Sequence, residues 1–103
     1  MAKKRIINAP SKQILDMLKK RTPNDARTLL NQFHVDAVGL MMVSIPDLYF
    51  YADVASKSAN VVVSEVFGSC PQHITTLAIF GEISAVNVAM QAIEEMDEMG
   101  QGF

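Results

Sequence analysis

Apolar residues recur along this chain at two different spacings, and the switches between them mark its elements. Lys4-Arg5-Ile6-Ile7-Asn8 has the length and β-branched centre of a short strand, closed by Pro10. Ser11 is a good N-cap, and Ile14, Leu15 and Leu18 follow it at helical spacing. Thr22-Pro23-Asn24-Asp25 restarts a helix: threonine can cap, proline suits the first helical position, and an acid in the first turn favours the dipole. Ala26, Leu29, Leu30 and Phe33 form its apolar stripe. The first third reads as two short helices behind a strand; the alternative makes residues 11–20 a further, barrel-like strand.

From Asp36 the pattern changes. Ala37-Val38-Gly39-Leu40-Met41-Met42-Val43-Ser44 is a nearly continuous apolar run of strand length, as expected of a central strand covered on at least one face. Pro46 and Asp47 open a helix through about Ser58, with Leu48, Ala52, Ala55 and Ala59 on one side. Val61 to Phe67 is the clearest strand, β-branched and then alternating. Gly68-Ser69-Cys70-Pro71 reads as a turn and Ile74 to Phe80 as the returning strand, so a hairpin is expected. Gly81 ends it. Ser84 can cap a last helix carrying Val86, Met90, Ile93 and Met96, with Gly100 placed for its C-cap. The Met-rich face of this helix, Met90, Met96 and Met99, reads as core filling.

These elements predict an α/β (α+β) ferredoxin-like sandwich. Its four-stranded antiparallel sheet takes one strand from the opposite end of the chain. Residues 1–35 supply that strand and the helical segment, 36–100 form the core, and 101–103 are a loose tail. Such an architecture licenses no function by itself.

At 103 residues, half of them apolar and 19% charged, the chain has the balance of one folded domain. No apolar stretch approaches the roughly 18 residues of a membrane span, and no signal peptide is visible at the basic N-terminus. A single cysteine excludes an internal disulfide framework and fits a reducing, cytoplasmic setting. The charge is uneven. Residues 1–27 carry eight bases and two acids, whereas residues 28–103 carry Lys57 alone against nine acids. The two Lys-Lys-Arg clusters lack interleaved aromatics and no nucleic-acid motif follows, so neither nucleic acid nor membrane is expected as a partner. The asymmetry reads as a basic face complementing an acidic one on the same or a neighbouring subunit.

Four stretches resemble the bacterial microcompartment shell proteins, the BMC-domain family. Ala37 to Val43 is similar to the family's opening strand. Ala52 to Val61, with its Lys57-Ser58-Ala59-Asn60-Val61 ending, resembles its helix signature. Phe67-Gly68-Ser69 falls where the family has a Gly-Ser pore turn. Phe80-Gly81-Glu82-Ile83-Ser84-Ala85-Val86 resembles the opening of its last helix. The usual final strand and short helix are missing after residue 100, and residues 5–8 with the helical segment behind them look like their replacement, which resembles the family's circularly permuted branch. The resemblance implies a cyclic homohexamer that tiles with other shell proteins around enclosed enzymes. It also implies a pore lined by Gly68, Ser69, Cys70 and Pro71, and an edge lysine, Lys57, packed between neighbouring hexamers. Taken alone, Lys57 is equally a solvated helix-end residue.

Cys70 departs from the small residues usual at that turn. A lone cysteine is most often a small buried hydrophobe, but this one lies in a predicted turn beside Gly and Pro. Cys-Pro also ends the cluster-binding run of bacterial ferredoxins. The branch with a pore cysteine, from glycyl-radical propanediol microcompartments, is associated with an iron–sulfur cluster at the pore. The resemblance therefore implies a cluster, of [4Fe-4S] type, shared between subunits through Cys70. Six thiols around a cluster that uses four break the symmetry, so a labile, partly occupied site is expected.

His73 is a candidate second ligand, or else a half-exposed strand-start residue. His34, ending a predicted helix near Asp36, reads as structural. Glu94-Glu95-Met96-Asp97-Glu98 reads as a solvated helix face. No catalytic arrangement or phosphate loop is present, so the chain is not expected to be an enzyme. The competing reading is a dimeric or trimeric ferredoxin-like regulatory module that binds a small metabolite.

Overall fold

The computed structural model describes residues 4–67 and 74–99, with Ile74 and residues 97–99 described by backbone alone. Its elements are β1 (Lys4–Asn8), α1 (Lys12–Lys19), α2 (Asn24–Asn31), β2 (Ala37–Ser44), α3 (Ile45–Ser58), β3 (Val62–Val66), β4 (Ile74–Gly81) and α4 (Ile83–Met99). The four strands form one antiparallel sheet in the order β1-β2-β4-β3. The expected α/β sandwich is the fold observed. The N-terminal strand completes it by pairing with β2, Ile6 opposite Gly39. Residues 12–19 are helical, which settles the open alternative there.

The run from Ala37 to Val43 is apolar throughout because both faces of its strand are covered. Ala37, Met41 and Val43 turn to a core closed by α3 and α4, together with Leu48, Ala55, Leu77, Ile79, Val86 and Ile93. Val38 turns the other way and packs with Leu30, Val62, Ala78 and Phe80 under α1 and α2. Phe80, Leu77, Ile79 and Ile93 are fully enclosed. Burying each such side chain contributes about 1.5–3 kcal/mol, so this double-faced core dominates the fold.

Several boundaries fall elsewhere than the sequence suggests. Ser44, not Pro46, starts α3: its Oγ accepts from the Asp47 amide at 3.3 Å, and proline occupies the first turn, where no donor is missed. The carbonyl of Glu82 accepts from the Val86 amide, so Ser84 lies inside the first turn of α4 instead of capping it. Thr22 does not cap α2. Its hydroxyl turns back and donates to the Lys19 carbonyl at 2.9 Å, closing α1 in a buried position, while Pro23 stands at the α2 N-cap. The core filling expected of the methionines holds for Met90; Met96 is 37% exposed. Gly100 and residues 101–103 lie outside the described residues. Among the described residues no helix is long and apolar enough to cross a membrane.

Two positions carry local constraints. Ala9 adopts φ 51°, in the left-handed region, as its amide donates to the Asp36 carbonyl at 2.6 Å. At Gly39 helix α4 comes so close that a β-carbon would lie 2.8 Å from Met90 Sδ and 3.4 Å from Val86 Cγ1. Gly39→Val should therefore cost about 1–3 kcal/mol in chemical denaturation. Ala9→Gly, which relieves the left-handed strain, should raise stability by up to about 1 kcal/mol. A tolerated valine at 39 would contradict the close approach of α4.

Candidate functional site

The sheet has two distinct ends, and the strand pairing assigns each candidate residue to one of them. β2 and β4 pair from Ala37↔Gly81 at one end to Ser44↔Ile74 at the other. The connection between β3 and β4, residues 67–73, leaves the sheet at the Ser44–Ile74 end, since Val66 pairs with Thr76. Gly68, Ser69, Cys70, Pro71 and His73 belong to that connection and lie outside the described residues. α3 starts at the same end, directly after Ser44, and must return to the far end because β3 opens there with Val62 opposite Phe80. Lys57, in the last turn of α3, is therefore about 18 Å along the helix from Ile45, by the 1.5 Å rise per residue.

Two contacts hold the base of the connection. Thr75 Oγ1 donates to Glu65 Oε2 at 2.7 Å, joining the strands just before they part. The Phe67 amide donates to the Arg21 carbonyl at 2.7 Å, tying the entry of the connection to the junction between α1 and α2. That junction is itself stiff. The Thr22 amide and hydroxyl both reach the Lys19 carbonyl, and the Arg27 guanidinium donates to the Thr22 carbonyl at 3.1 Å. The basic Lys19-Lys20-Arg21 cluster thus ends against Phe67, the last described residue before the cysteine-bearing segment. Sequence reasoning misses this juxtaposition, because a main-chain bond to residue 21 has no side-chain signature.

Lys57 is 75% exposed and pairs with Asp53 at 2.8 Å, one turn earlier. An exposed pair of this kind is worth about 0.3–0.5 kcal/mol, too little to hold the lysine against a competing partner. His34 does not end a helix, since α2 stops at Asn31; its Nε2 lies 2.7 Å from Asp36 Oδ1, so the imidazole meets a carboxylate and not a helix dipole. Of the acidic run, Glu94 reaches Lys4 at 3.6 Å across the edge of the sheet, and Glu95 is exposed. Among the described residues no three His, Cys, Asp or Glu side chains converge on a common point.

Residues 37–101 match the BMC domain family. Among solved structures, the chain is similar to the ligand-free GrpU microcompartment shell protein from Pectobacterium wasabiae. The two share 59% identity over 89% of this chain and 99% of that one, with a TM-score of 0.77. It is also similar to the ligand-free GrpU microcompartment shell protein from Clostridiales bacterium 1_7_47FAA, at 27% identity over 96% and 95% of the chains and a TM-score of 0.70. No curated protein sequence matches.

The clamp on the connection has a direct readout. Thr22→Val keeps the buried shape but removes the hydroxyl bond to Lys19, and should cost about 1 kcal/mol. Hydrogen exchange at the Phe67 amide should rise with it. Unchanged exchange at Phe67 would show that the junction does not restrain the connection.

Proposed function

The chain belongs to the BMC domain family and is a structural protein of the bacterial microcompartment shell, not an enzyme; within that role we propose that it forms a cyclic hexamer with an iron–sulfur cluster at its pore. The observation that carries this reading is the separation of the two candidate positions. The 67–73 connection and Lys57 leave opposite ends of one subunit, as a pore turn and an outer edge residue must. With Gly68, Ser69, Cys70 and Pro71 on the sixfold axis, Lys57 faces outward, toward neighbouring hexamers and other shell proteins around the enclosed enzymes. β1, which pairs with β2 from ahead of the matched residues, fits the permuted arrangement.

The donor set is consistent with a cluster only between copies. Each chain has one thiol, so a cluster held by four thiolates needs Cys70 from four copies, and one that also takes His73 still needs Cys70 from more than one. A ring with the connection on its axis brings them together; a single subunit does not. Bound there, a [4Fe-4S] cluster would supply a one-electron couple at the pore. The chain's own contribution, among the described residues, is a fixed base on either side of the cysteine-bearing segment, held by the Glu65–Thr75 and Phe67–Arg21 hydrogen bonds.

Two substitutions separate the parts of this reading. Cys70→Ser should abolish bound iron and the visible absorption of anaerobically purified protein while leaving the ring intact. Iron retained in the serine variant would refute ligation by Cys70. Lys57→Ala should keep the hexamer but suppress sheets and tubes in electron micrographs. Assemblies indistinguishable from wild type would remove Lys57 from the edge contact.

A further inference from the structure

The two helical layers of the subunit carry opposite charge. α1, α2 and the junction between them hold Lys12, Lys19, Lys20, Arg21 and Arg27 against two acids, whereas α3 and α4 hold Lys57 alone against six. The layers cover opposite faces of the sheet: Leu30 packs with Val38 and Phe80 on one side, Leu48 and Ile93 with Met41 on the other. The ion pairs among the described residues, Lys4–Glu94, His34–Asp36 and Lys57–Asp53, include none of the five bases. Lys19 meets an amide oxygen, Asn31 Oδ1 at 3.3 Å, and Arg27 the Thr22 carbonyl. Lys12, Lys20 and Arg21 are exposed. A basic face that its own acids leave uncompensated attracts a partner of the opposite sign.

These bases are gathered at one end. α1 follows β1, whose Asn8 stands opposite Ala37, and closes where the Arg21 carbonyl accepts from the Phe67 amide. Lys19, Lys20 and Arg21 therefore lie at the end of the sheet from which the cysteine-bearing segment leaves. Cys70 is three residues beyond Phe67, a chain reach of about 11 Å at most. Resting on the cluster proposed above, we infer that the α1–α2 face docks an acidic one-electron carrier protein over the pore. Sign, position and size select that occupant. A carboxylate-rich surface is drawn to the α1–α2 face and repelled by the acidic α3–α4 face, so docking is one-sided. In the proposed ring the basic junction is repeated around the axis, which steers the carrier to the pore and away from the rim. Electron-transfer encounters are small and weak, below about 1,200 Å² in total. The outward side of α1 suits such a transient contact, because it exposes one large apolar residue, Met17 at 57%, three positions before Lys20. One electron is lost by the reduced carrier and gained at the pore, and no bond or proton moves.

The test is binding of a plant-type ferredoxin, as an acidic carrier, to the full chain, measured by sedimentation on the metal-free and the anaerobically reconstituted protein side by side. Binding should weaken steeply as salt rises through about 0.15 M, where the Debye length is about 8 Å. Lys20→Glu combined with Arg21→Glu should weaken it roughly tenfold or more, with oligomer mass and circular dichroism as in wild type. Both positions are exposed, so the double variant is expected to fold. Glu95→Lys, on the acidic face, should leave binding no weaker than in wild type. A charge-reversed protein that binds ferredoxin as well as wild type, or a wild-type protein that takes up its cluster and binds no ferredoxin, would overturn the docking face. A DNA duplex bound as tightly through the same two residues would overturn the carrier in favour of nucleic acid. A protein that binds ferredoxin but takes up no cluster on reconstitution would instead overturn the cluster reading, and the electron exchange with it, so the two failures give different results.

Discussion

Everything in this subunit is registered on β2. It is hydrogen-bonded on both sides, to β1 and β4, so its residues from Ala37 to Val43 can only turn to one helical layer or the other. That pairing fixes where the chain enters and leaves the sheet. Ser44 ends β2 at the edge where β4 begins, which starts α3 there and sends Lys57 to the far end. The same register puts the cysteine-bearing connection opposite Lys57. A one-residue slip would exchange the two faces of the strand and bury Met42 in place of Met41. The placement of pore turn and outer edge therefore follows from a hydrophobic decision made inside the sheet.

The parts of this arrangement that sequence discloses are those marked by length, residue type or period. The Ala37–Ser44 run shows itself by its strand length, Val62–Val66 by its β-branched residues, and the small-residue side of α3 by its helical spacing. Helix ends were less legible, because more than one side chain could serve each. Ser44 and Ser84 are both competent caps, and only the first sits where the chain leaves a strand. Thr22 precedes a proline and looks like a cap, yet its buried hydroxyl closes α1 instead, donating to the Lys19 carbonyl. His34 was misplaced because α2 ends three residues before it, leaving Asp36 as its partner.

The candidate site was legible in a different sense. Cys70 and its neighbours are identified by likeness to a family, not by periodicity, and their ligand role depends on copies that one sequence does not describe. What the fold adds is the support beneath them. The Glu65–Thr75 bond could be anticipated from a hairpin register, but the Phe67–Arg21 bond joins positions 46 apart through main chain alone. It brings the basic N-terminal third against the base of the connection. The charge asymmetry of the chain thus has a structural meaning: much of its positive charge is gathered on the N-terminal elements at the end where copies are proposed to meet.

The most direct test of the account is the native mass of the full chain purified without oxygen. The account predicts six subunits plus the mass of one iron–sulfur cluster, with the added mass lost on exposure to air while the ring persists. A dimer or trimer, or a hexamer that takes up no cluster after anaerobic reconstitution with iron and sulfide, would contradict it.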